Sequence, residues 1–150
     1  MPYIIQHAHG AVPLLVGERF WGDAPEIDFG AISSCIVLIE QAPDTENSIR
    51  AIHLSLVSGD GTNIYDPDSA VDAQIDGIMQ AQGNFRACLG RIDFWQANES
   101  AEVRNFFVSL MQRLGIETWV QTPNVPLRVR WNQDTVQYSQ GGGWISIPYT

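Results

Sequence analysis

Apolar residues in this chain come in short runs broken by Gly, Asp and Pro, a spacing that suits strands better than long helices. Residues 35–40, Cys-Ile-Val-Leu-Ile-Glu, form a β-branched run that reads as a buried strand. Residues 49–57 predict a second strand, with Ile52, Leu54 and Leu56 on one face and Ala51, His53 and Ser55 on the other. Short apolar stretches at 2–6 and 12–16 predict strands, and 17–34, with Pro25 among Gly and Asp, predicts a connecting loop. Polar loops are expected at 41–48 and 58–68. Two helical patterns follow. Ser69 is placed to cap the first, which has Val71, Ile75, Ile78 and Met79 on one stripe and Gly83 as its stop. The second covers 100–114, with Val103, Phe106, Phe107, Leu110 and Leu114 on one face and Gly115 beyond it. A strand is expected over 84–95, then others at 116–122, 125–131 and 134–138, and a weaker one at 144–147. From residue 35 the order β-β-α-β-α-β-β-β, rich in hairpins, predicts one α+β domain over 1–150, a mixed sheet or sandwich flanked by two main helices.

At 150 residues the chain is long enough to bury one sizeable core without staples. No apolar run approaches the length that crosses a bilayer, and no basic leader followed by an apolar stretch opens the chain, so neither membrane insertion nor a retained signal peptide is expected. The net charge of −9 argues against nucleic acid as a partner. That charge is uneven: residues 1–75 hold eleven acids and two arginines, residues 76–150 six of each. The acidic half reads first as solvated loops, and second as a surface for a basic partner. All eight basic residues are arginine. The absence of lysine reads first as a bias of genome composition and second as selection against lysine modification such as ubiquitination, which fits a cytoplasmic protein or one delivered into a host or target-cell cytosol. Two cysteines make no disulfide framework, and no Cys/His spacing suggests zinc.

The candidate chemistry lies in Cys35 and His53. A cysteine nucleophile needs a base or acid within hydrogen-bond reach. If 35–40 and 49–57 form a hairpin centred on Asp44, Cys35 and His53 stand directly opposite one another, with Cβ atoms about 4.5–5.5 Å apart. That separation suits a thiolate–imidazolium pair, while a one-residue slip sends the two to opposite faces. The bland alternative is a small core cysteine and a half-exposed sheet histidine.

The segment Asp28-Phe29-Gly30-Ala31-Ile32-Ser33-Ser34-Cys35-Ile36-Val37-Leu38 resembles the nucleophile region of the CheD family of chemotaxis-receptor glutamine deamidases, where Gly-Ser-Cys enters an apolar strand. Arg50-Ala51-Ile52-His53-Leu54-Ser55-Leu56 is similar to that family's histidine strand, and Val16-Gly17-Glu18 falls where the family has Gly-Glu. The order of elements agrees from about residue 16 to residue 138, with Arg128 near the family's basic turn. The resemblance implies a CheD-like fold whose core is shared with cytotoxic necrotising factor-like deamidase toxins. It implies a cysteine-dependent protein-glutamine deamidase, a hydrolase with a chemotaxis role or one acting as an effector or toxin. No cofactor or metal is implied, and the partner is a protein substrate bearing a target glutamine. Cys35 would be the nucleophile and His53 its base, with Ser34 at the oxyanion site. A transglutaminase variant would use the same residues. Three departures stand out. Ser33 replaces a glycine, Val57 replaces the proline of a Leu-Pro exit, and Phe29 replaces the threonine that orients the histidine. The hydroxyl of Ser33 or a backbone carbonyl is therefore expected to orient His53. If it does not, the alternative is a catalytically inactive CheD-like binding module.

Other candidates read as structure. His7 and His9 alternate but lack a third ligand, Asp60, Asp66 and Asp68 lack EF-hand spacing, and Cys88 reads as core. Five tryptophans include Trp21 and Trp144 in irregular stretches, where they suit a protein-binding face or partial burial.

Overall fold

A computed structural model describes residues 2–43, 46–80 and 85–147. The described residues form eleven strands and three helices in three layers. The first sheet contains β1 (Gln6–His7), β3 (Phe20–Ala24), β5 (Ile36–Gln41), β6 (Ile49–Leu54), β7 (Arg86–Gly90) and β8 (Thr118–Gln121). Their spatial order is β1-β3-β6-β5-β7-β8. The second contains β2 (Leu14–Leu15), β4 (Glu26–Ala31), β9 (Pro126–Asn132), β10 (Thr135–Ser139) and β11 (Ile145–Ser146), in the order β11-β10-β9-β4-β2. Helices α1 (Val71–Ile78), α2 (Ile92–Gln96) and α3 (Ala101–Leu114) cover the outer face of the first sheet.

The central strands are buried on both faces, as a continuous apolar run predicts. Ile36, Leu38, Ile52 and Leu54 pack beneath Val71, Ile75, Trp95, Phe107 and Leu110 of the helices. Val37, Ile39, Ala51 and Leu89 pack against Ile27, Phe29, Leu127, Val129 and Val136 of the second sheet. The face of β6 that carries His53 is thus the seam between two sheets, and Cys35 belongs to the same seam.

The mixed α+β sandwich agrees with the sequence reading, and several elements differ from it. Residues 17–34 are largely strand, since β3 and β4 flank Pro25. The predicted strand over 84–95 ends at Gly90 and gives way to the short α2, so three helices rather than two flank the sheet. The stop assigned to Gly83 lies outside the described residues. Ala70, in the left-handed region at φ 48°, stands at the N-terminus of α1 in place of Ser69, whose hydroxyl accepts from the Tyr3 amide and donates to Asp66. Helix α3 has the ends its sequence promises: the Ser100 hydroxyl accepts from the Val103 amide, and Gly115 turns left-handed at φ 66°. Its buried stripe is Val103, Phe107, Leu110, Met111 and Leu114, with Phe106 only partly covered.

Two guanidinium groups tie helix C-termini to one end of the first sheet. Arg50 pairs with Asp23 at 2.7 Å and donates to the Ile78 carbonyl, while Arg86 pairs with the buried Glu40 at 3.1 Å and donates to the Leu114 and Met79 carbonyls. Cations at helix C-termini satisfy orphan carbonyls and complement the helix dipole.

Candidate active site

Cys35 and His53 lie at the other end of that sheet, at the entry to β5 and near the exit of β6. Strands β5 and β6 are antiparallel, with Val37 opposite His53 and Ile36 opposite Leu54. The register therefore differs by two residues from a hairpin centred on Asp44, a residue outside the described ones. Because side chains alternate with period two, the shift keeps Cys35 and His53 on one face. It makes them diagonal neighbours, about 7–8 Å apart and somewhat closer between Cβ atoms, rather than directly opposed. No hydrogen bond joins them among the described residues.

Each has another partner. The Cys35 thiol donates to Glu18 Oε1 at 3.2 Å, and the His53 Nδ1–H donates to the Val16 carbonyl at 2.9 Å. Glu18 and Val16 belong to one tight turn before β3: the Phe20 amide donates to the Gly17 carbonyl, and the Arg19 amide donates to the His53 carbonyl at 2.7 Å. Arg19 takes φ 66°, a left-handed conformation that a side chain rarely adopts without compensation. Here the compensation is its amide bond to His53 and guanidinium bonds to Ser55 Oγ at 2.8 Å and the Val57 carbonyl at 3.2 Å. The turn thus clasps His53 at both ring and backbone.

With Nδ1 committed to a carbonyl, the neutral ring carries its lone pair on Nε2. That atom is buried and has no hydrogen-bond partner among the described residues. Cys35 and His53 are each 2% exposed, whereas Glu18 is exposed above them. Burial sets the resting charges. It pushes the Cys35 thiol up to about 12, assisted by the hydrogen bond and negative charge of Glu18 and opposed by the Ser34 backbone and Arg19. Burial also lowers His53, against the Val16 carbonyl and Glu18, which raise it. Both groups favour their neutral forms, so a thiolate–imidazolium pair is not the resting state.

The serines divide. Ser34 places its carbonyl on the Trp95 indole N–H at 2.8 Å, which fixes the backbone just ahead of Cys35. Ser33 is exposed, and the Nδ1 of His53 is already taken by Val16, so the expectation that its hydroxyl orients the histidine is corrected in favour of the carbonyl. Phe29 meets His53 edge-on, ring centroids 5.8 Å apart, and supplies packing but no acceptor. The sequence reading quoted Glu18 and Val16 only as part of a motif; their roles emerge from the turn. Gly90 was missed as a site residue. At φ 131° its Cα lies so near β5 that an added Cβ would come 2.5 Å from the Cys35 carbonyl oxygen.

The remaining candidates stay structural. The His7 ring stacks on Trp21 at 3.9 Å with His9 against it, and no three potential metal ligands gather among the described residues. Asp60 accepts from the Ser58 and Thr62 hydroxyls, as a turn residue does. Cys88 is fully buried in the helix-side core. No helix among the described residues is long and apolar enough to cross a membrane.

These features define a buried thiol–imidazole–carboxylate cluster at the end of a two-sheet sandwich. No family model, curated protein or solved structure matches the chain.

Proposed function

We propose that the protein is a cysteine-dependent protein-glutamine deamidase of CheD-like fold, acting in a cytosol on a glutamine side chain of another protein. The observation that supports this reading is His53 Nε2: a buried, unpartnered acceptor, held in one tautomer by Val16, on the face that carries Cys35. A base of this kind takes a thiol proton without a pre-formed ion pair.

The reaction runs in two halves. Once substrate displaces Glu18 from the thiol, the sulfur bonds to the glutamine carboxamide carbon as its proton passes to Nε2. The imidazolium returns that proton to the leaving nitrogen, the C–N bond breaks, and ammonia departs from a thioester. Water then attacks the thioester while Nε2 takes its proton, and the returning proton restores the thiol as glutamate leaves. Backbone N–H groups at Ser34 and Cys35 are the candidate oxyanion donors, each worth roughly 3 kcal/mol in a site of this type.

A catalytically silent binding module is the second reading, supported by the thiol's rise to about 12 beneath Glu18. Intact-mass measurement on glutamine-bearing proteins separates the two. The expected result is conversion of amide to acid by the wild-type chain and none by Cys35→Ala or His53→Ala. Equal conversion by the Cys35→Ala chain, or none by any chain across a proteome of substrates, overturns the deamidase reading.

A further inference from the structure

Strand β8 is the outermost strand of the first sheet, and no strand lies beyond it among the described residues. The Thr122 amide donates to the Gly90 carbonyl at 2.8 Å, so Thr122, Val120 and Thr118 turn their backbone groups towards β7. By the alternation of a strand, Trp119 and Gln121 turn theirs outward, along an open edge. The side chains of Glu117, Trp119 and Gln121 share the helix side of that edge. Trp119 meets Phe107 of α3 with ring centroids 5.1 Å apart and stays 39% exposed. Beside it Val108, Met111, Ile116 and Glu117 shape an apolar pocket of about 410 Å³. Gln121 exchanges two 2.9 Å hydrogen bonds with Asp93 of α2, one to its amide and one to its carboxylate. Glu117 and Asp93 are exposed, and no arginine pairs with either among the described residues. The nearest candidates are engaged elsewhere: Arg113 with Asp72 and Asp76, and Arg91 over the Phe94 ring.

An apolar pocket on an open strand edge, with a carboxylate to either side, defines its complement. An added strand satisfies the edge through its main chain, and its alternate side chains fill the pocket. Directly opposed residues share a face, so those that meet Glu117, Trp119 and Gln121 are spaced two apart. The middle one enters the pocket, and the outer two reach Glu117 and Asp93. A second copy of this chain does not fit. Paired antiparallel about Trp119, each copy would set Glu117 against Gln121 and Asp93 of the other, carboxylate towards carboxylate.

We propose that the β8 edge docks an extended segment of a partner protein, in which an apolar residue is flanked two positions away on each side by arginine or lysine. The proposal stands apart from the deamidase reading, and its test is indifferent to whether Cys35 is active. The probes are three peptides added to the full chain. The first is acetyl-Thr-Arg-Thr-Leu-Thr-Arg-Thr-amide. The second, acetyl-Thr-Glu-Thr-Leu-Thr-Glu-Thr-amide, reverses its charge. The third, acetyl-Thr-Thr-Arg-Leu-Arg-Thr-Thr-amide, keeps its composition and moves both arginines to the opposite face. The readout is the pair of backbone amide resonances of Trp119 and Gln121. The first peptide should shift both saturably, with a midpoint roughly tenfold or more below the second and severalfold below the third. Glu117→Arg, an exposed change, should raise that midpoint roughly tenfold or more while resonances of the sheet interior stay in place. Unmoved amides, equal midpoints for the three peptides, or a midpoint indifferent to Glu117→Arg overturns the docking edge. Shifts of the same amides on concentrating the chain without peptide assign the edge to a second copy, and overturn it too.

Discussion

Glu18 holds the site in its resting state. Its carboxylate accepts the thiol hydrogen and adds negative charge beside a sulfur already disfavoured as an anion by burial. Glu18→Gln removes the charge and keeps the shape, so the thiol should ionise more readily. Alkylation of Cys35 near neutral pH should then rise by roughly three- to tenfold, since each pKa unit is worth a factor of ten in thiolate. Iodoacetamide kinetics with peptide mapping check this, with buried Cys88 as the internal control; an unchanged or slower rate would mean that the carboxylate does not suppress the thiolate. The Cys–His pair was legible in the sequence because a β-branched strand and an alternating strand place both residues on predictable faces. The atom that orients the histidine was not, because a backbone carbonyl at Val16 has no residue signature. Phe29 shows the limit from the other side: a phenylalanine offers no hydroxyl to orient the histidine, while a turn sixteen residues into the chain supplies the acceptor.

At the level of elements, helix α3 and the strands around Pro25 teach opposite lessons. The α3 sequence states its cap, its stripe and its stop; within the stripe Phe107 is fully buried, Phe106 is only partly covered and Met111 joins it. Phe107→Ala should therefore cost about 3–5 kcal/mol, and Phe106→Ala clearly less, in urea unfolding of the two variants. Equal costs would place the helix on a different face. Strands β3 and β4 were hidden because small residues occupy inward positions. Gly22 sits where a Cβ would come 2.6 Å from the Leu14 side chain, and Ala24 is buried beside it, so tight packing reads as a glycine-rich loop. The alternation of Ile27 and Phe29 was present but lay between turn-forming residues. Gly90 ends β7 for a different reason, its close approach to the Cys35 carbonyl, and a run of strand-forming residues gives no warning of that. Strand β8 lies parallel to β7 across two intervening helices, a pairing that local pattern does not encode.

For the whole molecule, stability should form a plateau bounded by buried neutral groups. His53 is lowered by burial, so the unfolded chain takes a proton first as pH falls. Its contribution is complete above the unfolded value of about 6.5 and is lost as pH drops towards the lower folded value. Tyr3 and Cys35 are both pushed up to about 12, chiefly by burial. Their contributions are complete below the unfolded values of roughly 10 and 8.5, and are lost as pH rises towards 12. Urea midpoints measured from acid to alkaline pH should fall at both ends, and His53→Gln should flatten the acid limb; an acid limb unchanged in that variant would assign it to other groups. The arginine ties of Arg50 and Arg86 give this plateau a direction. They fasten helices to the sheet where β5 ends and β6 and β7 begin, the pole opposite Cys35. Cohesion and the candidate site thus occupy separate poles of one sheet. The turn of Glu18 stands apart from those ties, so an ancestor of this chain could change the groups that meet Cys35 while keeping what fastened the helices to the sheet.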